Sequence, residues 1–323
     1  MCKLALTWAL LVSSGPRLLK GLKYRKIWAM NRGIDLSIII VSWNSEKDIS
    51  ACLSSIEKAK QNLNAEVFVV DNSSSDGTVG IVESNFHGVN MIKNSNNAGF
   101  AKANNQAISI SKGEYVLILN PDTILNENSL TDSIEYMKQN SEIGVLGCAI
   151  HNPDGSQQFS VRKFPTLVSQ ILVLCKLHNF FPNLWPIKKY FALNFDYTKD
   201  QVVDQVMGAF MLISRSCLNK VGLLDENFWI WFEDVDYCKR VKNAGLQVVY
   251  SPKMSIIHNQ SQSFARLFAV KEQKIFNKSL LYYMKKHNGN LAYIILHIYI
   301  PISIALSAFV GIFENKSNKL AIK

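Results

Sequence analysis

The sequence predicts an α/β fold with a mostly parallel sheet, followed by an apolar helical tail. Three observations carry this. From Asp35 to Cys148, short apolar runs alternate with segments of helical period, as crossover units require. Four of those apolar runs end in polar clusters rich in Asn, Asp and Ser. Near the carboxyl terminus, Leu291 to Phe313 contains no Asp, Glu, Lys or Arg.

The elements follow in order. "LSIIIVSW", from Leu36, is apolar on both faces, the pattern of a central parallel strand. Ile49, Leu53 and Ile56 then recur at helical spacing. "EVFVVDN" and "VNMIKN" read as the second and third strands, Ala98 to Ile110 as a helix, and "YVLIL" as the fourth strand. A helix carrying Leu130, Ile134 and Met137 precedes a fifth strand, "IGVLGC". Ser42-Trp43-Asn44, Asp71-Asn72-Ser73, residues 94–97 and Asn120-Pro121-Asp122 then all fall at carboxyl ends of strands. That edge is where open α/β sheets bind ligands.

The fourth cluster carries a specific expectation. Pro121 has no N–H, stops the strand ladder and holds Asn120 extended. Residues i and i+2 of an extended segment point the same way, so Asn120 and Asp122 aim at one spot. A carboxylate beside a neutral oxygen donor suits Mg²⁺ or Mn²⁺, completed by water and phosphate oxygens. The plainer alternative is a turn in which Asp122 caps the next helix. Further on, "WFEDVDYCKRVKNAG" reads as a helix opening with Glu233, Asp234 and Asp236. Acids there also suit the helix dipole. Asp236 and Arg240, four residues apart, are expected to pair on an exposed face.

Composition narrows the class. The chain has 323 residues, 48% hydrophobic and 19% charged, which describes a folded protein with a sizeable core. A net charge of +10 suits an anionic substrate or an anionic membrane surface. With no long basic run and no nucleic-acid motif, no nucleic-acid partner is expected. The six cysteines are scattered without a C-x-x-C pair, so neither a zinc site nor a disulfide framework is expected. They read as reduced residues of a cytosolic chain.

Residues 1–34 form a basic and apolar extension. Leu4 to Val12 resembles the core of a signal peptide and is shorter than the roughly 20 residues that cross a bilayer. An ordinary extension, with Met30 as an alternative start, fits as well. Arg17, Lys20, Lys23, Arg25 and Lys26 suit an anionic lipid surface. An apolar insertion at about 165–195 mixes leucines, aromatics and lysines. It fits an interfacial amphipathic segment or a packed insertion. In the tail, 264–323, the run 291–313 is long enough to cross a membrane, with Pro301 as a kink. The alternative is a broken helical hairpin packed on the domain or lying in the interface.

Taken together and in order, several segments resemble glycosyltransferase family 2. They are "LSIIIVSWNSEKDISACLSSI", "VFVVDNSSSDGT", "NSNNAGFAKANNQAI", "YVLILNPDT", "GAFMLISRSCLNKVGLLDENFWIWFEDVDYCKRVKNAGLQVVYSP" and "IIHNQSQS". The resemblance spans roughly 35–263 and is nearest to the rhamnosyltransferase-like branch that builds bacterial surface polysaccharides. It implies a GT-A nucleotide-binding sandwich and an inverting enzyme using a nucleotide-diphosphate sugar and a divalent metal. Ser42 and Asn44 would line the nucleoside pocket, and Asp71 would accept the N3–H of uracil or thymine. Asn97 and Gly99 would let the backbone approach the donor. Asn120 and Asp122 match the family's D-x-D position, with Asn in the first place, so Asp122 is the metal ligand and Asn120 a donor contact. His258 would join the metal or diphosphate. Asp234 would be the general base, with Glu233 beside it, and Trp229 and Trp231 could stack on acceptor sugars. The resemblance implies L-rhamnose from dTDP-rhamnose, passed to a glycan or lipid-linked glycan at the cytoplasmic face of a bacterial inner membrane. Hexosyl or N-acetylhexosaminyl transfer from a UDP-sugar is the alternative. Outside that class stand a noncatalytic nucleotide-sugar-binding membrane protein and a metal-dependent nucleotidyltransferase.

Overall fold

The computed structural model describes residues 33–259 and 269–320, with side chains to 309 in the tail. The amino-terminal extension up to residue 32 and the loop at 260–268 lie outside the described residues. The expectations on the signal-like run, the basic cluster and "QSQS" are therefore not addressed by it.

The first half follows the alternating pattern. β1 (Leu36–Ser42), α1 (Ile49–Lys60), β2 (Ala65–Asp71), α2 (Thr78–Asn85), β3 (Val89–Lys93), α3 (Phe100–Ile110) and β4 (Tyr115–Leu119) succeed one another. β1 is buried on both faces. Ile38 and Ile40 pack into one core with Ile49, Leu53 and Ile56 of α1, while Ile39 and Val41 pack into the opposite core with Ala101, Ala103 and Ala107 of α3. Alternation by two on a strand between two helical layers accounts for the uninterrupted apolar run.

The second half reverses direction. β5 (Thr123–Leu125), α4 (Ser129–Gln139) and β6 (Ile143–His151) are followed by the short helices α5 (Leu167–Leu174), α6 (Leu177–Phe180) and α7 (Trp185–Tyr190). Then come β7 (Gln201–Val202), β8 (Phe210–Ser214), α8 (Arg215–Val221), α9 (Glu233–Asn243) and β9 (Gln247–His258). Among the described residues, the nine strands make one sheet in the order β3-β2-β1-β4-β8-β6-β9-β5, with β7 on β9. β3, β2, β1 and β4 are mutually parallel, so their carboxyl ends share one edge. β8 enters antiparallel between β4 and β6. β9 runs parallel to β6 and antiparallel to β5, pairing Thr123 with His258.

The tail is α10 (Ala269–Leu320), interrupted at Gly289, where φ is +86°. Ser307 Oγ donates to Gln273 Oε1 at 2.9 Å and Ser303 Oγ to Asn277 Oδ1 at 3.4 Å. A straight helix would hold the first pair about 50 Å apart at 1.5 Å per residue. The tail is therefore a hairpin of two antiparallel arms turning at Gly289, a residue with no Cβ to oppose positive φ. The first arm packs Leu280, Tyr283 and Met284 against Phe228, Phe232 and Val235 in a third apolar cluster.

Candidate active site

The parallel half-sheet opens its carboxyl edge into a cavity of about 660 Å³. Trp43 and Asn72 line it from the ends of β1 and β2, Asn97 and Gly99 from before α3, and Asn120 and Asp122 from after β4. The other wall comes from residues 205–209 and 229–235, with His258 at the end of β9.

Asn120 and Asp122 converge as their spacing predicts. His258 Nε2 is 3.2 Å from Asp122 Oδ1 and 3.4 Å from Asn120 Nδ2. The antiparallel pairing of β5 with β9 brings His258 there, and the Asp122 carbonyl accepts from Asn259 N at 2.9 Å. His258 Nδ1 lies 3.0 Å from Gln158 Oε1, and Gln158 Nε2 donates to the His258 carbonyl at 2.6 Å. Gln158 Oε1 can only accept, so His258 Nδ1 is the donor of that contact. The Asp122 carboxylate and the His258 ring, 3.2 Å apart, are groups that could hold a divalent cation, with Gln158 orienting the imidazole. Among the described residues no third His, Cys, Asp or Glu completes a cluster, so phosphate oxygens and water would supply the other ligands.

Ser42, Asn44 and Asp71 are not among the residues that line this cavity. Asp71 is buried, accepting from Ser42 Oγ at 3.0 Å and from Ser74 N at 2.8 Å. Asn44, at φ +53°, accepts from Ser75 N at 2.8 Å. The residues beside them, Trp43, Ser45 and Asn72, face the cavity. Asn97 Oδ1 accepts from Gly99 N at 3.0 Å. Gly99 sits at φ +86°, and a Cβ there would lie 2.5 Å from the Trp229 carbonyl oxygen. The glycine lets the Trp229 backbone dock on α3, where Phe100 N donates to that carbonyl at 2.7 Å.

The acids occupy the first turn of α9. Trp231 and Phe232, which lead into it, both have positive φ (64° and 70°). For aromatic residues that is strain held by surrounding packing. Phe232 stacks on Phe276 and Tyr283 at 5.4 and 5.5 Å, and Ser279 Oγ donates to the Ile230 carbonyl at 2.7 Å. Trp229 and Trp231 are half-buried and line the cavity, so sugar stacking remains sterically open to them. Asp234 Oδ2 accepts from Gly208 N at 3.1 Å and Oδ1 from Val235 N at 2.7 Å. Glu233 is 6% exposed, and its Oε2 is buried without a partner.

These contacts set the charge states. Burial pushes the Glu233 carboxyl well above the ordinary range, and the neighbouring Asp234 charge adds to it. Burial also raises Asp234, against the pull of its two N–H donors and the Arg162 guanidinium. Of two adjacent carboxyls, Asp234 with its donors is the one to ionise and Glu233 the one to keep a proton. A raised acid favours folding below its unfolded pKa and loses that contribution as pH rises through the folded value. Glu233→Gln should therefore raise the melting temperature above the ordinary glutamate value of about 4.3 and leave it unchanged below. Thermal unfolding across pH tests this, and a gain that does not vary with pH would contradict it.

One expectation is corrected. Asp236 does pair with Arg240, at 2.8 Å, but its side chain is 0% exposed. Its Oδ1 also receives Lys286 Nζ and His287 Nε2, each at 2.7 Å. Burial alone would raise its pKa, yet the His287, Lys286 and Arg240 donors hold it below the ordinary range. The sequence spacing showed the partner on the same helix. It could not show the tail arm that covers the pair. Lys286 also binds Asp225 Oδ2 at 2.7 Å, so the tail, the loop before α9 and α9 itself are tied together.

Other residues of the site carried no local signal. Arg162 and Gly208 lie in segments without periodicity, and only the folded sheet brings them to the cavity; Gln158 reaches the site through its bonds to His258. The comparisons with known proteins fit this geometry. The Glycosyl transferase family 2 profile matches residues 37–222, more than half of the chain. The chain belongs to glycosyl transferase family 2. As a family 2 member it is a glycosyltransferase. It is 24% identical over 271 residues to the N-acetylglucosaminyl-diphospho-decaprenol L-rhamnosyltransferase of Mycobacterium tuberculosis, covering 79% of this chain and 85% of that one. It is 30% identical over 234 residues to the rhamnosyltransferase WbbL of Escherichia coli, covering 68% and 82%. It is also 30% identical to the low-salt glycan biosynthesis hexosyltransferase Agl10 of Haloferax volcanii, covering 70% and 67%. Among solved structures, the mannosyltransferase PcManGT of Pyrobaculum calidifontis, in complex with GDP-Man and Mn²⁺, aligns at a TM-score of 0.53 and 15% identity. That alignment covers 95% of this chain and 88% of that one. The likeness shows a GT-A-type fold.

Proposed function

We propose that the chain transfers L-rhamnose from dTDP-rhamnose, with inversion, to a lipid-linked glycan at the cytoplasmic face of a bacterial inner membrane. The observation that carries the reaction class is one cavity lined by Asp122, His258 and Asp234 together. In this reading Asp122 and His258 would meet the leaving diphosphate, and Asp234 would take the proton of the acceptor hydroxyl. The choice of sugar leans on the two rhamnosyltransferase relatives. The lipid-linked acceptor leans on the decaprenol acceptor in the mycobacterial relative's name. A hexosyl donor is the second reading, supported by the 30% identity to the archaeal hexosyltransferase.

The chemistry follows from this chain's own groups. The acceptor oxygen attacks the anomeric carbon as its proton passes to Asp234, which the Gly208 and Val235 N–H groups hold in one orientation. The bond from the anomeric carbon to the diphosphate oxygen breaks on the opposite side, and the electron pair leaves with the nucleoside diphosphate. Glu233, kept neutral, adds no second negative charge beside the base. Mg²⁺ or Mn²⁺ held by Asp122 and His258 would neutralise the departing diphosphate.

Calorimetric titration with thymidine and uridine diphosphate tests the donor corner. Binding is expected with Mg²⁺ or Mn²⁺ and not in chelator. Asp122→Ala should abolish the metal-dependent component, and Gln158→Leu should weaken it by roughly 10–100-fold. Tight binding in chelator, unchanged in Asp122→Ala, would refute the assignment. Comparing nucleotide sugars in the same titration would separate the rhamnosyl from the hexosyl reading.

A further inference from the structure

We propose that the tail hairpin and the 165–195 segment form one docking face for an anionic lipid bilayer, and that the tail lies along the membrane surface without crossing it. By length and composition α10 is able to span a bilayer, and 22% of its apolar window is buried. It is therefore not an ordinary core helix. Its polar residues Gln273, Asn277, Ser303 and Ser307 are buried and bonded to one another between the arms. Beside the apolar residues that pack into the third cluster, the second arm carries an exposed apolar stripe. Leu291, Ile294, Ile298, Ile302 and Phe309 recur at helical spacing and are all exposed, from 45% at Ile302 to 71% at Leu291. A stripe of this length differs from the scattered apolar residues of an ordinary surface.

The other arm excludes a crossing orientation. The bonds Gln273–Ser307 and Asn277–Ser303 fix the register, so Lys278 lies level with Ile302 and Lys271 with Phe309. Lys271, Lys274, Lys278 and Lys285 are exposed on that arm. If the second arm crossed the hydrocarbon, these ammonium groups would lie at its depth, where charge is strongly disfavoured. The first arm is also committed to Phe228, Phe232 and Val235 of the catalytic half. A hairpin lying in the interface satisfies both constraints.

The insertion packs against the tail and carries exposed apolar residues of its own. Lys176, just after α5, donates to Gln273, whose Oε1 also accepts from Ser307. Beyond that contact come Phe180, Phe181, Leu184 and Trp185, with Phe180 75% and Trp185 69% exposed. Two lysines lie over aromatic rings of these elements, Lys189 at 4.8 Å from Trp185 and Lys285 at 5.4 Å from Tyr293. An amphipathic ring paired with a snorkelling lysine suits headgroup depth. The bordering lysines favour anionic lipid and oppose a second copy of this chain. The inference deepens the lipid-linked acceptor reading, yet vesicle binding is measured without any transfer, so either can fail alone.

Flotation of the full chain with vesicles tests it. Binding is expected to phosphatidylglycerol–phosphatidylethanolamine vesicles and to fall in pure phosphatidylcholine or high salt. Ile294→Glu/Ile298→Glu should weaken it by more than about tenfold while nucleotide diphosphate titration stays normal. Phe180→Ser/Trp185→Ser, away from the hairpin, should weaken it severalfold and serves if the first variant misfolds. Wild-type protein should be released by alkaline carbonate. Carbonate-resistant protein, or binding indifferent to both variants, would overturn the proposal. So would a dimer in wild type that the glutamates dissociate with no vesicle binding.

Discussion

Asp234→Asn is expected to lower kcat by roughly 10²–10⁴-fold, the usual worth of a general base. Asparagine keeps the shape, and its single carbonyl oxygen can accept from one of the two N–H groups that Asp234 now holds, Gly208 N or Val235 N, so the helix start and donor binding should survive at the cost of one hydrogen bond. The loss should fall on kcat more than on donor affinity, because proton transfer matters only in the transition state. Burial raises the wild-type Asp234 pKa. The acid limb of kcat/KM should therefore lie above the ordinary aspartate value of about 3.9, with activity rising as Asp234 ionises. Near-normal turnover in Asp234→Asn would reduce Glu233 and Asp234 to charges that favour a helix start.

Asp236→Asn is expected to be the most destabilising single change in the catalytic half. It leaves Lys286, Arg240 and His287 gathered around a neutral group. Breaking a buried ion pair by removing one partner costs about 3–5 kcal/mol. The low end applies, because Lys286 and Arg240 side chains keep 29% and 21% exposure and some access to water. At about 2–4 °C per kcal/mol for a chain of this order of size, the melting temperature should drop by roughly 6–12 °C. Arg240 also donates to the Val221 and Leu223 carbonyls and should hold α8 near α9, so the damage should begin where the tail meets the loop at Asp225. Thermal unfolding measures this. A change within one or two degrees would mean that the cluster behaves as an exposed one.

The legible parts of the sequence were the local ones. β1 to β4 and their helices follow from periods of two and 3.6, and the parallel pairing puts the four polar clusters on one edge as expected. The convergence of Asn120 and Asp122 was legible because Pro121 constrains both neighbours. His258 could be associated with them only through family resemblance, because its position depends on the pairing of Thr123 with His258 across 135 residues of chain. Asp236 shows the same limit: its helical partner was readable and its burial under Lys286 and His287 was not. Asp71 and Ser42 lie at the predicted strand ends, and the bonds that Asp71 accepts from the Ser74 turn were not readable from the strand pattern. The hairpin turn did leave a trace, since Asn288-Gly289-Asn290 is a turn signal between two apolar periodic runs.

The anomeric configuration of the transferred sugar tests the central claim most directly. In the proposed reaction Asp234 is the one base acting on the acceptor, and a single displacement forms no covalent intermediate. With dTDP-rhamnose and a lipid-linked glycan acceptor, NMR of the product should show the configuration inverted relative to the donor. Retention would require a second displacement and would contradict the assignment of Asp234 as the base.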